Sequence, residues 1–198
     1  MIPSLHKPQL LVLDPRVPGW RELALGIRPG VTPLVLDTAG DGLRQITRAL
    51  DEVGPVDTLH LVDEPHAGRV RFGANWLDLD VLPLWAAQLA RLGAGIRPGG
   101  SFVLWGEGMA SLHNEAFLRG LSIALRREVT AAEDVLADSQ GSEDWLSCST
   151  DILPACPADA VLPGALARFQ AGRRAPGTRL AGLRGGYFGQ GQHVPFSF

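Results

Sequence analysis

The stretch Leu34–Glu64, "LVLDTAGDGLRQITRALDEVGPVDTLHLVDE", decides the fold. It begins within one short apolar run, Pro33 to Leu36, and takes in a second, Thr58 to Val62, both of which read as strands. Between them Leu43, Ile46, Leu50 and Val53 recur at spacings of three and four, which places them on one face of a helix from Gly42 to Val53. Asp41 stands where its side chain can cap the first turn. Strand, amphipathic helix and strand in succession is the repeating unit of a mostly parallel sheet covered by helices.

Working outward, the same alternation continues on both sides. Gln9 to Leu13, Ser101 to Trp105 and Val129 to Ala132 read as further strands, with helices near Trp20 to Leu25, Leu82 to Leu92 and Ser111 to Arg127. The predicted fold class is therefore α/β, a three-layer sandwich with helices on both faces of the sheet. "RVRFGANWLDL" breaks the rhythm; its alternation around a Gly-Ala-Asn turn predicts a small β-hairpin after the third strand. Beyond Asp138 the pattern weakens to a loop at "SQGSEDW", an edge strand at "DWLSCST" and one or two helical turns at "PGALARF". These signals predict a single domain over residues 1–159 and a Gly/Arg-rich arm over 160–198, disordered or docked.

Charge divides along the same boundary. All 21 Asp and Glu lie at or before Asp159, with 13 of the 18 Lys and Arg, so this part carries −8 and the remainder +5. An acidic body repels phosphate backbones, which argues against nucleic acid as a partner. No apolar run approaches the length that spans a bilayer, and the N-terminus lacks the charged and apolar regions of a Sec signal, so neither membrane insertion nor Sec export is expected. Cytoplasmic residence and export by a signal-peptide-independent route both stay open. The two cysteines, Cys148 and Cys156, are too few for a disulfide framework or a thiolate zinc site, and their bonding stays open. The arm ends on Tyr187, Phe188, Phe196 and Phe198, aromatic residues suited to an apolar groove of the body or of another protein, so a protein partner or self-association is expected there.

Carboxylates gather at the carboxyl ends of the expected strands: Asp14, Asp37, Asp63 with Glu64, Glu107 in "FVLWGEGM", and Glu133 with Asp134. On a parallel sheet they share the rim where ligands of open α/β folds bind. Asp63, Glu64, Glu107 and Asp134 form a candidate set for Mg²⁺ or Ca²⁺, and Glu64 with Glu107 a candidate acid and base of a hydrolase, with His66 as an additional base or ligand. Helix capping and loop solvation explain Asp14, Asp37 and Asp41 without any ligand. No dinucleotide fingerprint, phosphate loop or nucleophile elbow is present.

Taken together, "LVLDPRVPGWRELALGIRPG", "LVLDTAGDGLRQITRAL", "LHLVDEPHAGRVRFG", "WLDLDVLPLWAAQLARLGAGIRPGGSFVLWGEGMA" and "VTAAEDV" give the chain from Gln9 to Trp145 a resemblance to the bacterial domain of unknown function numbered 4347, found near the N-terminus of large repeat-containing surface proteins and adhesins. That family resembles caspase-like cysteine peptidases, with Ser-His-Gly after the third strand and Gly-Cys after the fourth. Here Asp63, Glu64 and Pro65 stand at the first motif and Glu107 at the cysteine. A shift of one or two residues brings His66 to the histidine position, but none supplies a thiolate nucleophile. The resemblance thus implies a caspase-like fold whose dyad positions are Glu64 and Glu107, no cysteine peptidase activity and no cofactor, and a binding or assembly role linked to export, adhesion or biofilm matrix. The alternative is a carboxylate-based hydrolase or a cation-binding protein.

Overall fold

In the computed structural model, residues 7–64, 68–105, 114–132, 145–147 and 157–174 are described. The strand-helix-strand unit around Leu34–Glu64 forms as expected: α2 (Gly42–Val53) buries Leu43, Ile46 and Leu50, and the Asp41 side chain accepts the Arg44 amide. It joins β2 (Val31–Val35) to β3 (Val56–Val62). With β1 (Gln9–Leu13), β6 (Ile96–Trp105), β7 (Glu128–Ala132) and β8 (Trp145–Ser147) these make a six-stranded sheet in the order β2-β1-β3-β6-β7-β8. The first five of that order run parallel, and β8 closes the edge antiparallel to β7. Pro33, which has no amide to give an interior ladder, sits on the opposite edge strand.

Strand boundaries extend beyond the apolar runs. β6 begins at Ile96 because Val56 pairs with Ile96 before the register shifts, and the regular ladder resumes at Thr58 and Ser101. "RVRFGANWLDL" forms the expected hairpin, β4 (Arg69–Phe72) against β5 (Asn75–Asp78). The helix expected over Leu82–Leu92 starts as a 3₁₀ turn at Leu82–Trp85, with Pro83 in its first turn, and continues as α3 (Ala86–Ala94).

Two cores flank the sheet, which gives the three layers. Leu10, Val12, Leu59, Leu61, Phe102 and Leu104 point to one side, where α2, α3 and α4 (Glu115–Leu125) cover them. Leu11, Leu13, Val62, Val103 and Trp105 point to the other, against α1 (Trp20–Leu25), α5 (Pro157–Ala160) and α6 (Pro163–Arg174). This alternation along single strands is the period-2 rule with both faces buried.

The second core extends past residue 159. Val161, Ala165 and Phe169, assigned from sequence to an arm beginning at residue 160, are buried core residues, and Leu162 donates its amide to the Gly26 carbonyl. Ending at Arg174, α6 is a full helix rather than a turn or two. Removing the Phe169 side chain is expected to destabilise the whole domain by about 3–5 kcal/mol, read as a shift of the urea midpoint with the slope unchanged. A detached arm would show no shift.

Candidate functional site

The strand order reverses between β1 and β3: β2 lies on one side of β1, and β3 with β6, β7 and β8 on the other. At such a switch point the loops leaving the carboxyl ends diverge and leave a crevice. Asp14 follows β1 and Asp63 follows β3, so the sheet brings to this point two of the carboxylates picked out from the sequence.

Both are buried and both are engaged. Asp14 is fully buried, and its oxygens accept the Arg16 amide at 2.9 Å, the Arg16 Nε at 2.8 and 3.1 Å, and the Arg16 Nη2. This is the fork geometry in which a guanidinium satisfies both oxygens of a carboxylate, and the same hydrogen bonds raise the Arg16 pKa. Asp14 is therefore not the simple helix cap that its loop position allowed. Asp63 accepts the Glu64 amide at 2.8 Å and the Arg71 amide at 2.7 Å. Burial pushes Asp63 up to about 7 despite these two donors, and the charge of Asp14 adds to the rise. Asp63 thus exchanges its proton near neutrality.

The hairpin is fastened to the loops at this point. Arg16 Nη2 donates to the Gly73 carbonyl at 2.7 Å, and the Ala74 amide donates to the Gly40 carbonyl at 2.8 Å. Gly73 also bridges to Asp41. Together with the Asp63 to Arg71 bond, the hairpin is fastened to the loops after β1, β2 and β3. Backbones touch here: a Cβ on Gly73 would lie 2.3 Å from the Gly40 carbonyl oxygen, and one on Gly42 2.4 Å from the Phe72 carbonyl carbon. Only glycine fits such an approach. Beneath, Phe72 stacks on Phe102 with ring centroids 6.4 Å apart, which ties the hairpin into the first core.

A third buried polar group lies under the sheet on the other face. His60 is wholly buried; its Nδ1 accepts the Trp105 indole N–H at 3.1 Å, which leaves Nε2 to carry the proton and donate to Gln9 Oε1 at 3.0 Å. Burial lowers its pKa to about 3, so it is a neutral structural link between β1, β3 and β6. Reading along "LHLV" did not single it out, because a histidine inside an apolar run carries no signal of its partners.

The remaining sequence candidates divide simply. Asp41 caps α2, and Asp37 accepts the Ala39 amide, as the capping and turn reading expects. Glu64 lies exposed beside Asp63. Glu107, His66, Glu133, Asp134, Cys148, Cys156 and the aromatic set Tyr187, Phe188, Phe196 and Phe198 lie outside the described residues. Among the described residues no group of three or more His, Cys, Asp or Glu is placed to hold a metal ion, and no helix is long and apolar enough to cross a membrane. A groove of about 970 Å³ runs along α2 beside Trp85 and Arg91, but Arg91 pairs with Asp51 and Arg48 with Glu52.

Comparison with known proteins bears on this geometry. The model of the family described as "Domain of unknown function (DUF4347)" matches residues 10–169, past Trp145 where the quoted resemblance ends and into α6. No curated protein matches the chain. A solved structure titled "Crystal structure of a small-chain dehydrogenase" aligns at 13% identity with a TM-score of 0.34, covering 60% of this chain and 77% of that one.

Proposed function

The chain belongs to the family of domains of unknown function DUF4347, and from that premise we propose that it is a non-catalytic binding or assembly module, a caspase-like frame whose dyad positions hold Glu64 and Glu107. The role fits attachment to an export, adhesion or biofilm-matrix system. The observation that carries the reading is the engagement of the two buried rim carboxylates, Asp14 by Arg16 and Asp63 by backbone amides. At the same point Asp63 holds the hairpin, and the Gly73 backbone packs on Gly40. These carboxylates act as fasteners for loops, which suits a protein that presents a surface rather than one that encloses a substrate.

The aromatic end of the arm, Tyr187, Phe188, Phe196 and Phe198, is the proposed contact for self-association or a protein partner. Its test is light scattering of the full chain against a chain ending at Arg174, which retains the whole of α6. The full chain is expected to associate and the shorter one to be monomeric. An identical state for both removes the arm from the account.

A second reading draws on the burial of Asp63 beside Glu64, which pushes its pKa up to about 7. A carboxyl that exchanges its proton at neutral pH is what a general acid or base needs. Under this reading Glu64 and Glu107 serve a hydrolase or hold Mg²⁺ or Ca²⁺. Calorimetry of the wild type and a Glu107→Gln variant with Mg²⁺, Ca²⁺ and Mn²⁺, beside turnover of a fluorogenic peptide library, separates the two. The module reading expects neither heat nor turnover; either one, lost in the variant, would replace it.

A further inference from the structure

We propose that the outer face of the hairpin, where Trp76 lies against the guanidinium groups of Arg69 and Arg71, docks a carboxylate-rich segment of a partner protein. This names a surface and a partner chemistry for the binding module and rests on that reading.

The hairpin has two distinct faces. Val70, Phe72 and Leu77 are buried in the first core, while Arg69, Arg71, Trp76 and Asp78 share the opposite face, with Trp76 directly across from Arg71 and Asp78 across from Arg69, its carboxylate accepting the Asp80 and Val81 amides. Fastened at Gly73, Ala74 and Arg71, the hairpin presents this outer face on a fixed base.

These two arginines share one indole ring, and like Arg21, Arg28, Arg44, Arg126 and Arg127 they have no ion pair with the described residues. Arg16, Arg48, Arg91, Arg97, Arg119 and Arg168 each form an ion pair. The guanidinium carbons of Arg69 and Arg71 lie 4.4 and 3.9 Å from the Trp76 ring centroid. Stacking uses the π-face of a guanidinium and leaves its edge N–H groups in plane, oriented for a carboxylate. In addition, Arg71 Nε is buried with no acceptor.

Carboxylate is favoured over a phosphate polymer by the field of the rest of the molecule. The −8 balance of the first 159 residues opposes a long polyanion, whereas a short acidic segment reaches two arginines without lying along the whole body.

The test is fluorescence anisotropy with a short labelled glutamate-rich peptide, a lysine-rich peptide of equal length and an oligothymidylate. Each is titrated with the full chain, with R69Q/R71Q, and with R48Q/R91Q, whose arginines are already paired. The glutamate peptide is expected to bind the wild type and R48Q/R91Q alike and to lose at least about tenfold with R69Q/R71Q, the scale of two charge-assisted contacts. R69K/R71K keeps the charge without the planar fork, so it should recover only part of the loss; it also serves if the glutamine variant is poorly folded. Equal binding by wild type and R69Q/R71Q, or tighter binding of oligothymidylate than of the glutamate peptide, overturns the proposal. If the full chain still associates in the truncation experiment while this surface binds nothing, the module stands and only the surface assignment falls. If neither occurs, both fall.

Discussion

Replacing Gly73 by alanine is expected to destabilise the protein by about 3 kcal/mol or more, among the largest effects of any single methyl group in the chain. Gly73 has φ of +62°, and a Cβ there would lie 2.3 Å from the Gly40 carbonyl oxygen and 3.1 Å from that of Asp37. The cost therefore has two parts, a left-handed backbone and a collision with the loop after β2. Gly99 separates them: its φ is +78°, and nothing lies within 4 Å of a Cβ placed on it. Gly99→Ala should show the conformational part alone, about 1–2 kcal/mol. Urea titrations of the two variants give the difference, which measures the close approach of the hairpin to the rim. Equal losses at the two positions would mean that the hairpin yields easily and is not fixed to the rim.

The second large effect is a pair of opposed pH dependences. Asp63 titrates near 7 in the fold against 3.8 for an ordinary aspartate, so the folded state holds its proton more tightly. Its contribution to stability is fully present below about pH 4 and is lost as the pH rises through 7. His60 titrates near 3 against 6.5, so the folded state favours its neutral form, and its contribution is present above about 6.5 and lost as the pH falls through 3. Each spans a few kcal/mol at full titration, with opposite slopes between about pH 4 and 6.5. The wild type should therefore show a nearly flat stability profile there. Asp63→Asn removes one slope and leaves a protein that loses stability on acidification; His60→Gln leaves one that gains it. Two variants with slopes of the same sign would contradict the assignment of both groups.

Asp63→Asn has a further consequence for the hairpin. An amide has one acceptor oxygen, yet two backbone N–H groups, those of Glu64 and Arg71, converge on this side chain. One of them loses its partner, at about 1–3 kcal/mol, and the fastening of β4 to the end of β3 weakens.

The layers of the fold were legible because they follow from periodicity. "DGLRQITRALDEV" carries a complete amphipathic face and a cap, and "RVRFGANWLDL" alternates around a turn, so α2 and the hairpin form where expected. α6 was not legible: "PGALARFQAGRR" contains two glycines and holds to the second core mainly through Ala165 and Phe169, which is too short a stripe to stand out as a helical period. The rim was half legible. Carboxylates at strand ends could be named, but their partners could not. Asp63 binds backbone amides, which have no residue identity, and the partner of Asp14 is an arginine two positions along that a loop could point anywhere. The stack of Trp76 with Arg69 and Arg71 depends on the register of β4 against β5, which only the folded hairpin fixes.

Whether the hairpin is a fixed part of the rim is read by native-state hydrogen exchange at two amides, Arg71 donating to Asp63 and Ala74 donating to Gly40. If the hairpin is fastened as described, both exchange only through global unfolding, with the same opening free energy and denaturant dependence as the amides of β3. Exchange of the two through a low-energy local opening, insensitive to denaturant while β3 stays protected, would show a hairpin that opens on its own and would contradict the account.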